Sequence, residues 1–214
     1  MTVGIDFSIK STAVTIIDKG IHFFYTFARK SIAHKDFFET LQTAGVTVVS
    51  LDDEPKLPKT ANLTAKERSS THDGILLTEA IARTLSIHNF SETDYIAIEG
   101  FSFASTGNRL SQISGYQWLL RSKLVKHCNV SVDQLYFFSP MTIKATAGKG
   151  NYKKEDMIRE FIQSTDDNLK NSKFFVDIFN NPQKFQNKNG GWKKPIDDIC
   201  DSYWIAKTLE KTLL

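Results

Sequence analysis

Val3-Gly4-Ile5-Asp6-Phe7-Ser8-Ile9-Lys10-Ser11-Thr12-Ala13-Val14-Thr15-Ile16-Ile17 opens the chain with an apolar run, a carboxylate, a small-residue turn and a second apolar run. Alternating and β-branched apolar residues on either side of a turn read as paired strands. Asp6 falls where the first strand ends and its backbone opens toward solvent. Asp18-Lys19-Gly20 is a tight-turn signal, so residues 2–6, 12–17 and 21–27 form an antiparallel meander. Working outward, residues 46–51, 94–99 and 135–138 read as further strands. Helical periodicity marks the second half of 63–88, then 109–127, the region around Met141, 153–163 and 196–213. A meander followed by alternating strands and helices makes a mixed α/β sheet with helices on both faces.

Three more carboxylates join Asp6 as candidates. Glu99 closes the apolar run Tyr95-Ile96-Ala97-Ile98, a position that packing explains poorly. Asp198 and Asp201 lie three apart in the last helix and share a face, but Asp197 and Asp201, four apart, do so equally well. For Asp6 the competing explanation is an ordinary turn residue. For the helix acids it is the attraction of an N-terminal dipole for negative charge. Carboxylates gathered in one place repel one another and favour protonation unless divalent cations neutralise them, which makes Mg²⁺, with Mn²⁺ as substitute, the natural occupant. Two such ions about 4 Å apart suit in-line phosphodiester hydrolysis.

Lys144-Ala145-Thr146-Ala147-Gly148-Lys149-Gly150-Asn151-Tyr152-Lys153-Lys154 sets two glycines among four lysines, so that backbone approaches a phosphate while Lys144, Lys149, Lys153 and Lys154 neutralise it. A solvated charge run is the alternative. Phe101 and Phe103 beside Glu99 are either core or a wedge that stacks on unpaired bases. Ile113, Tyr116, Gln117, Leu120 and Leu124 form an apolar stripe on the helix 109–127, read as core with part of it a candidate subunit seam.

In order along the chain, Gly4-Ile5-Asp6-Phe7-Ser8, Ile98-Glu99, the Lys144–Lys154 loop and Asp198-x-x-Asp201 resemble the motifs of the RuvC family of Holliday-junction resolvases, in the RNase H-like superfamily. The resemblance runs from the first strand to the last helix and implies an RNase H-like α/β fold with a mixed five-stranded sheet. It selects Asp198 over Asp197 and implies a catalytic and metal set of Asp6, Glu99, Asp198 and Asp201, with Lys154 near the scissile phosphate. It also implies branched DNA, above all four-way junctions, as partner, and a homodimer whose two sites cut symmetric strands. The chain departs from the family pattern in three ways. The step from Lys144 to Gly148 is one residue short. Ser102 stands where an aromatic is expected, flanked by Phe101 and Phe103. Residues 51–70 and 166–194 are longer than a minimal member needs.

Composition bounds the rest. The 214 residues are read as one domain, 1–214, with a polar, partly ordered insertion at 166–194. A net charge of +3 is too small to imply a polyanion by itself, but basic residues gather at 121–126, 144–154 and 184–194. Two distant cysteines without Cys-x-x-Cys spacing argue against a zinc site or a disulfide framework. No apolar run reaches membrane-spanning length and no signal peptide is read, so a cytoplasmic location is expected, the host cytoplasm if the gene is a phage's. Three other functions compete: a broader branch or flap endonuclease, a catalytically silent DNA-binding relative, and an actin-like ATPase. The ATPase needs glycine-rich nucleotide loops that this sequence lacks.

Overall fold

The computed structural model describes residues 1–33, 35–53, 56–100 and 108–214, with side chains of the last segment from residue 110. Its strands are β1 (Thr2–Asp6), β2 (Thr12–Asp18), β3 (Ile21–Arg29), β4 (Val46–Leu51), β5 (Tyr95–Glu99) and β6 (Leu135–Phe138). The helices are α1 (Lys30–Ala33), α2 (Asp36–Thr43), α3 (Leu63–Ser86), α4 (Asn108–His127), α5 (Pro140–Ala147), α6 (Lys154–Ile162), α7 (Asp167–Lys170), α8 (Lys173–Asn180) and α9 (Ile196–Leu213).

The strands form one sheet in the order β4-β3-β2-β1-β5-β6. The meander β1-β2-β3 is antiparallel, while β5 pairs in parallel with β1, β6 with β5 and β4 with β3. The sheet thus has six strands, not five. The addition is β4, whose Val46 to Leu51 run bonds along the outer edge of β3 and lengthens the sheet on the side away from β5.

Both sheet faces are covered, and the two-residue period of the strands sorts their side chains accordingly. Val3, Ile5, Val14, Ile16, Ile96 and Ile98 pack beneath α3 and α4, where Leu77, Ile81, Leu85, Leu120 and Leu124 are buried. Ala13, Ile17, Phe24 and Ala97 face the opposite layer of α2, α5, α6, α8 and α9. The apolar stripe of α4 belongs to this packing: Tyr116, Gln117, Leu120 and Leu124 are buried in the subunit's own core, so they form no subunit seam.

Residues 166–194 are better ordered than an inserted polar loop. Phe174, Phe175 and Ile178 share the inner face of α8, and a 3₁₀ turn at Pro182–Phe185 buries Phe185. The Phe174 ring lies 5.1 Å from that of Phe24 on β3, so the stretch is part of the main core. Spacing i, i+1, i+4 gathers Phe174, Phe175 and Ile178 inward. Helix α3 likewise begins earlier than the apolar pattern, because Asn62 caps it by accepting from Ala65 N–H (2.9 Å). Its first ten residues are not buried, which hides that half from a hydrophobic pattern.

Helix α9 lies directly on β1. A Cβ added to Gly4 would sit 2.1 Å from the Ser202 carbonyl oxygen and 2.4 Å from the Ala206 nitrogen, both backbone atoms that cannot rotate away. Beside it, the Thr15 and Ser202 hydroxyls hydrogen-bond at 2.7 Å. Gly4→Ala must therefore push α9 off the sheet. It should destabilise the fold by about 3 kcal/mol, the upper range for overpacking, and lower the melting midpoint by roughly 6–12 °C. A midpoint within a degree of the parent would show that the contact is slack.

Candidate active site

Parallel pairing of β1 with β5 is what brings the first two acids together. Thr2 to Ile5 run opposite Tyr95 to Ile98, so Asp6 and Glu99 leave the same end of neighbouring strands. Helix α9 crosses β1 with its first turns at that end and delivers Asp197, Asp198 and Asp201. The Gln117 side chain on α4 donates to the Glu99 carbonyl oxygen (2.9 Å), fixing the end of β5 from the other face.

Asp6, Glu99, Asp198 and Asp201 line one cleft of about 700 Å³, together with Lys10, Ser11, Lys144, Lys154, Lys194 and Pro195. Asp6, Asp197 and Asp198 are buried. The four acids of the expected set therefore meet, and Lys144 and Lys154 meet with them. Lys149 and Lys153 are exposed and stand outside the cleft lining. Phe101 and Phe103 lie outside the described residues.

The reading of the lysine loop changes in detail. Lys144 sits in the last turn of α5 and Lys154 opens α6, so only the residues between them form a loop. The glycines make room for side chains: a Cβ on Gly148 would meet the Tyr152 ring at 2.6 Å, and one on Gly150 would meet Met141 at 3.0 Å. They serve packing, and the cations reach the cleft from helix ends.

The acids neutralise their charge in two ways. Burial, reinforced by Asp198, Glu99 and Asp201, raises the Asp6 carboxyl well above the usual carboxylate range. Glu99 is raised by burial, partly offset by a hydrogen bond with Asp6 and by the fields of Lys154 and Lys144. Asp201 is lifted by burial to about 7, against the field of Lys154. All three are shifted toward the neutral form, which eases their burial side by side.

Ammonium groups quench the other half. Lys194 Nζ lies 2.6 Å from Asp197 Oδ2 and 2.7 Å from Asp198 Oδ1. Lys154 Nζ lies 2.6 Å from the same Asp197 oxygen and 3.8 Å from the same Asp198 oxygen. The Ser11 hydroxyl donates to Asp198 Oδ2. Burial works to raise Asp197, but hydrogen bonds from Lys154 and Lys194 hold it below the usual range. Asp198 is raised by burial and by Asp197 beside it.

Three participants escaped the sequence. Ser11 is placed by a local lock: Thr12 Oγ1 donates to the Ser8 carbonyl oxygen (2.6 Å) and Ser11 N–H donates to Ser8 Oγ (3.1 Å). Lys194 belonged to a basic cluster with no visible target. Asp197, read as a dipole-favoured helix acid, instead anchors both lysines. The i, i+3 and i, i+4 spacing of Lys194 to Asp197 and Asp198 was the available signal.

Among the described residues, no group of three or more His, Cys, Asp or Glu side chains is set at metal-holding geometry. The pairings account for this, since Asp198 has both oxygens engaged and Asp6 is hydrogen-bonded to Glu99. The donor chemistry still fits a hard divalent cation, because four carboxylates share one cleft and such an ion would offset the repulsion and burial that raise them.

No protein-family model and no curated protein sequence matches the chain. Its shape is similar to solved RuvC structures. With the Thermus thermophilus RuvC structure the chain shares 14% identity at a TM-score of 0.48, over 97% of this chain and 91% of that one. With T. thermophilus RuvC in complex with a Holliday junction substrate it shares 16% identity at a TM-score of 0.46, over 97% and 90%. Among the described residues no helix is long and apolar enough to cross a membrane.

Carboxylates that repel one another at rest weaken the fold that holds them. A raised carboxyl stabilises the folded state below the unfolded pKa of about 4, and that contribution is lost as pH rises through the folded value. Without divalent ions, Asp6→Asn should therefore raise the melting midpoint at pH 8 by roughly 2–4 °C, the shift that 1 kcal/mol makes in a chain of this size. A lower midpoint at pH 8 would mean that the Asp6 charge is compensated in the fold.

Proposed function

We propose that the chain is a divalent-metal-dependent endodeoxyribonuclease that resolves four-way DNA junctions by hydrolysing phosphodiester bonds. The observation that carries this reading is the convergence of Asp6, Glu99, Asp198 and Asp201 in one cleft rimmed by Lys10, Lys144, Lys154 and Lys194. Acids at the floor suit a metal-bound phosphate, and lysines at the rim suit the flanking backbone. The ordered motifs add to this support. The protein acts in the cytoplasm, where it meets branched DNA.

Two Mg²⁺ or Mn²⁺ ions held among the four acids supply, when bound, a more acidic attacking water and charge stabilisation at the leaving oxygen. The chain's own groups do the rest. Ser11 orients Asp198 by donating to one of its oxygens. Burial works against the Lys154 ammonium, but the hydrogen bond to Asp197 and the fields of Asp197, Asp198 and Asp201 keep it charged, so it remains a fixed cation beside the cleft. Lys144 and Lys10 place two more cations along the wall. Lys149 and Lys153 lie farther out, where they contact backbone beyond the cut.

Paired cuts call for a homodimer. With the α4 stripe buried, we assign pairing to the face bearing Trp118, 64% exposed, and Phe137, 43% exposed, which clasp Arg121 at 4.6 and 4.0 Å. Light scattering at micromolar concentration should give twice the chain's 24.2 kDa. A monomeric mass both free and on junction DNA would favour the runner-up, a broader branch or flap endonuclease that nicks one strand at a time.

Cleavage assays on a mobile junction, a fork, a flap and linear duplex test the main reading. Asp6→Asn, Glu99→Gln, Asp198→Asn and Asp201→Asn should each slow junction cutting by roughly a thousandfold or more, about 4 kcal/mol of barrier, while junction binding persists. Asp197→Asn should have the smaller effect, because it acts only through the lysines. Lys154→Ala should reduce cutting more than binding, and Lys149→Ala or Lys153→Ala should flatten the slope of log affinity against log salt by about one. Near-parental cutting by any one acid variant removes that residue from the site.

Cutting should also depend on pH. Cation binding needs ionised carboxylates, and Asp201 sits at about 7 with Asp6 raised, so Mn²⁺ affinity and rate should climb as pH rises through 7 and then level off. A profile flat from pH 6 to 8.5, measured at subsaturating Mn²⁺, would take these protons out of the chemistry.

A further inference from the structure

Lys154 and Lys194 share the same two carboxylate oxygens, yet they reach them differently. Lys154 starts α6 and contacts chiefly Asp197, with Asp198 at 3.8 Å. Lys194 comes from the end of the 166–194 stretch and makes close contact with both acids, at 2.6 and 2.7 Å. With the Ser11 hydroxyl on the second oxygen, Asp198 has both oxygens taken, and Lys194 is the ammonium within hydrogen-bond distance of it.

The two partners differ in exposure. The Asp198 side chain is 5% exposed, and that of Lys194 is 59% exposed. Swinging a four-carbon stem into water removes little packing, and the ammonium is readily rehydrated. The buried carboxylate has no such freedom, since leaving it ionised without a counter-charge is costly. Lys194 is therefore a removable cap on a fixed acid. A divalent cation at Asp198 Oδ1 would compete with that ammonium for the same oxygen.

We propose that Lys194 is an exchangeable counter-ion: it occupies Asp198 while the cleft lacks divalent ions and withdraws to the rim when one binds. This rests on the reading of the four acids as a divalent-cation site. Lys194 is then a positioning residue, which holds Asp198 in place for the incoming ion. Once displaced, it adds a positive charge at the cleft mouth, so metal binding and phosphate binding reinforce each other.

The test measures Mn²⁺ binding directly, by electron paramagnetic resonance of free Mn²⁺ without DNA, in the parent, Lys194→Ala, Lys194→Arg and Asp198→Asn. Removing the competitor should tighten Mn²⁺ binding about fivefold in Lys194→Ala, and Lys194→Arg should stay near the parent. Melting supplies a second readout. Lys194→Ala should lower the metal-free midpoint by roughly 2–4 °C, and saturating Mn²⁺ should erase that difference. A merely structural ion pair would cost the same with and without Mn²⁺. That result, or unchanged or weaker Mn²⁺ binding in Lys194→Ala while Asp198→Asn still loses it, overturns the exchange and leaves the metal site standing. Failure of both the parent and Lys194→Ala to bind Mn²⁺ overturns the metal reading and the exchange together.

Discussion

Contact of α9 with the first strand is the constraint on which the rest depends. Gly4 lets the backbone of α9 at Ser202 and Ala206 lie directly on β1, closer than any side chain allows. Ala13 and Ala97 keep the neighbouring ground low on the same face. The helix is consequently buried nearly all round, from Ile196 to Leu209. That depth places its first turns at the strand ends from which Asp6 and Glu99 emerge. A helix riding a few ångströms higher, as one over larger side chains would, carries Asp198 and Asp201 out of reach of the other two.

Crowding of acids has an electrostatic consequence that the fold answers twice. Around Asp6, Glu99 and Asp201 the answer is a shift toward the neutral form, because burial and mutual repulsion raise all three carboxyls. Around Asp197 and Asp198 it is two ammonium groups and a hydroxyl, because α6, the approach to α9 and the β1–β2 turn all end there. Both arrangements can be undone without repacking the core, which suits the proposed divalent-cation site. Such sites trade stability for chemistry.

The layer opposite α3 and α4 shows how peripheral sequence supports this geometry. Residues 166–194 contribute Phe174, Phe175 and Phe185 to the core that backs α9 and β3, and then deliver Lys194 to the cleft. The same stretch therefore braces the helix that carries the acids and supplies one of their counter-charges. Across the sheet, Gln117 holds the Glu99 backbone from α4, so the end of β5 is fixed by an element other than its own.

Sequence alone determined what local physics determines. Strand alternation, the Asp18-Lys19-Gly20 turn and helical periodicity placed every strand and most helices, and an acid at the end of an apolar run was conspicuous at Asp6 and Glu99. The five-stranded sheet was implied by the resemblance alone, and 166–194 reads as more polar than its inward face is, because a few apolar residues at helical spacing are diluted by the outer residues. The sequence did not choose between Asp197 and Asp198 without the resemblance, since both share a helix face with Asp201. What only the tertiary structure decided is which charges meet: Ser11 with Asp198 is a contact across 187 positions, and Lys154 with Asp197 one across 43. Pairings at that separation have no local signature, because they arise from α9 docking on Gly4 and from the parallel register of β1 with β5. Burial, which turns ordinary carboxylates into a raised and coupled set, exists only once those elements have packed.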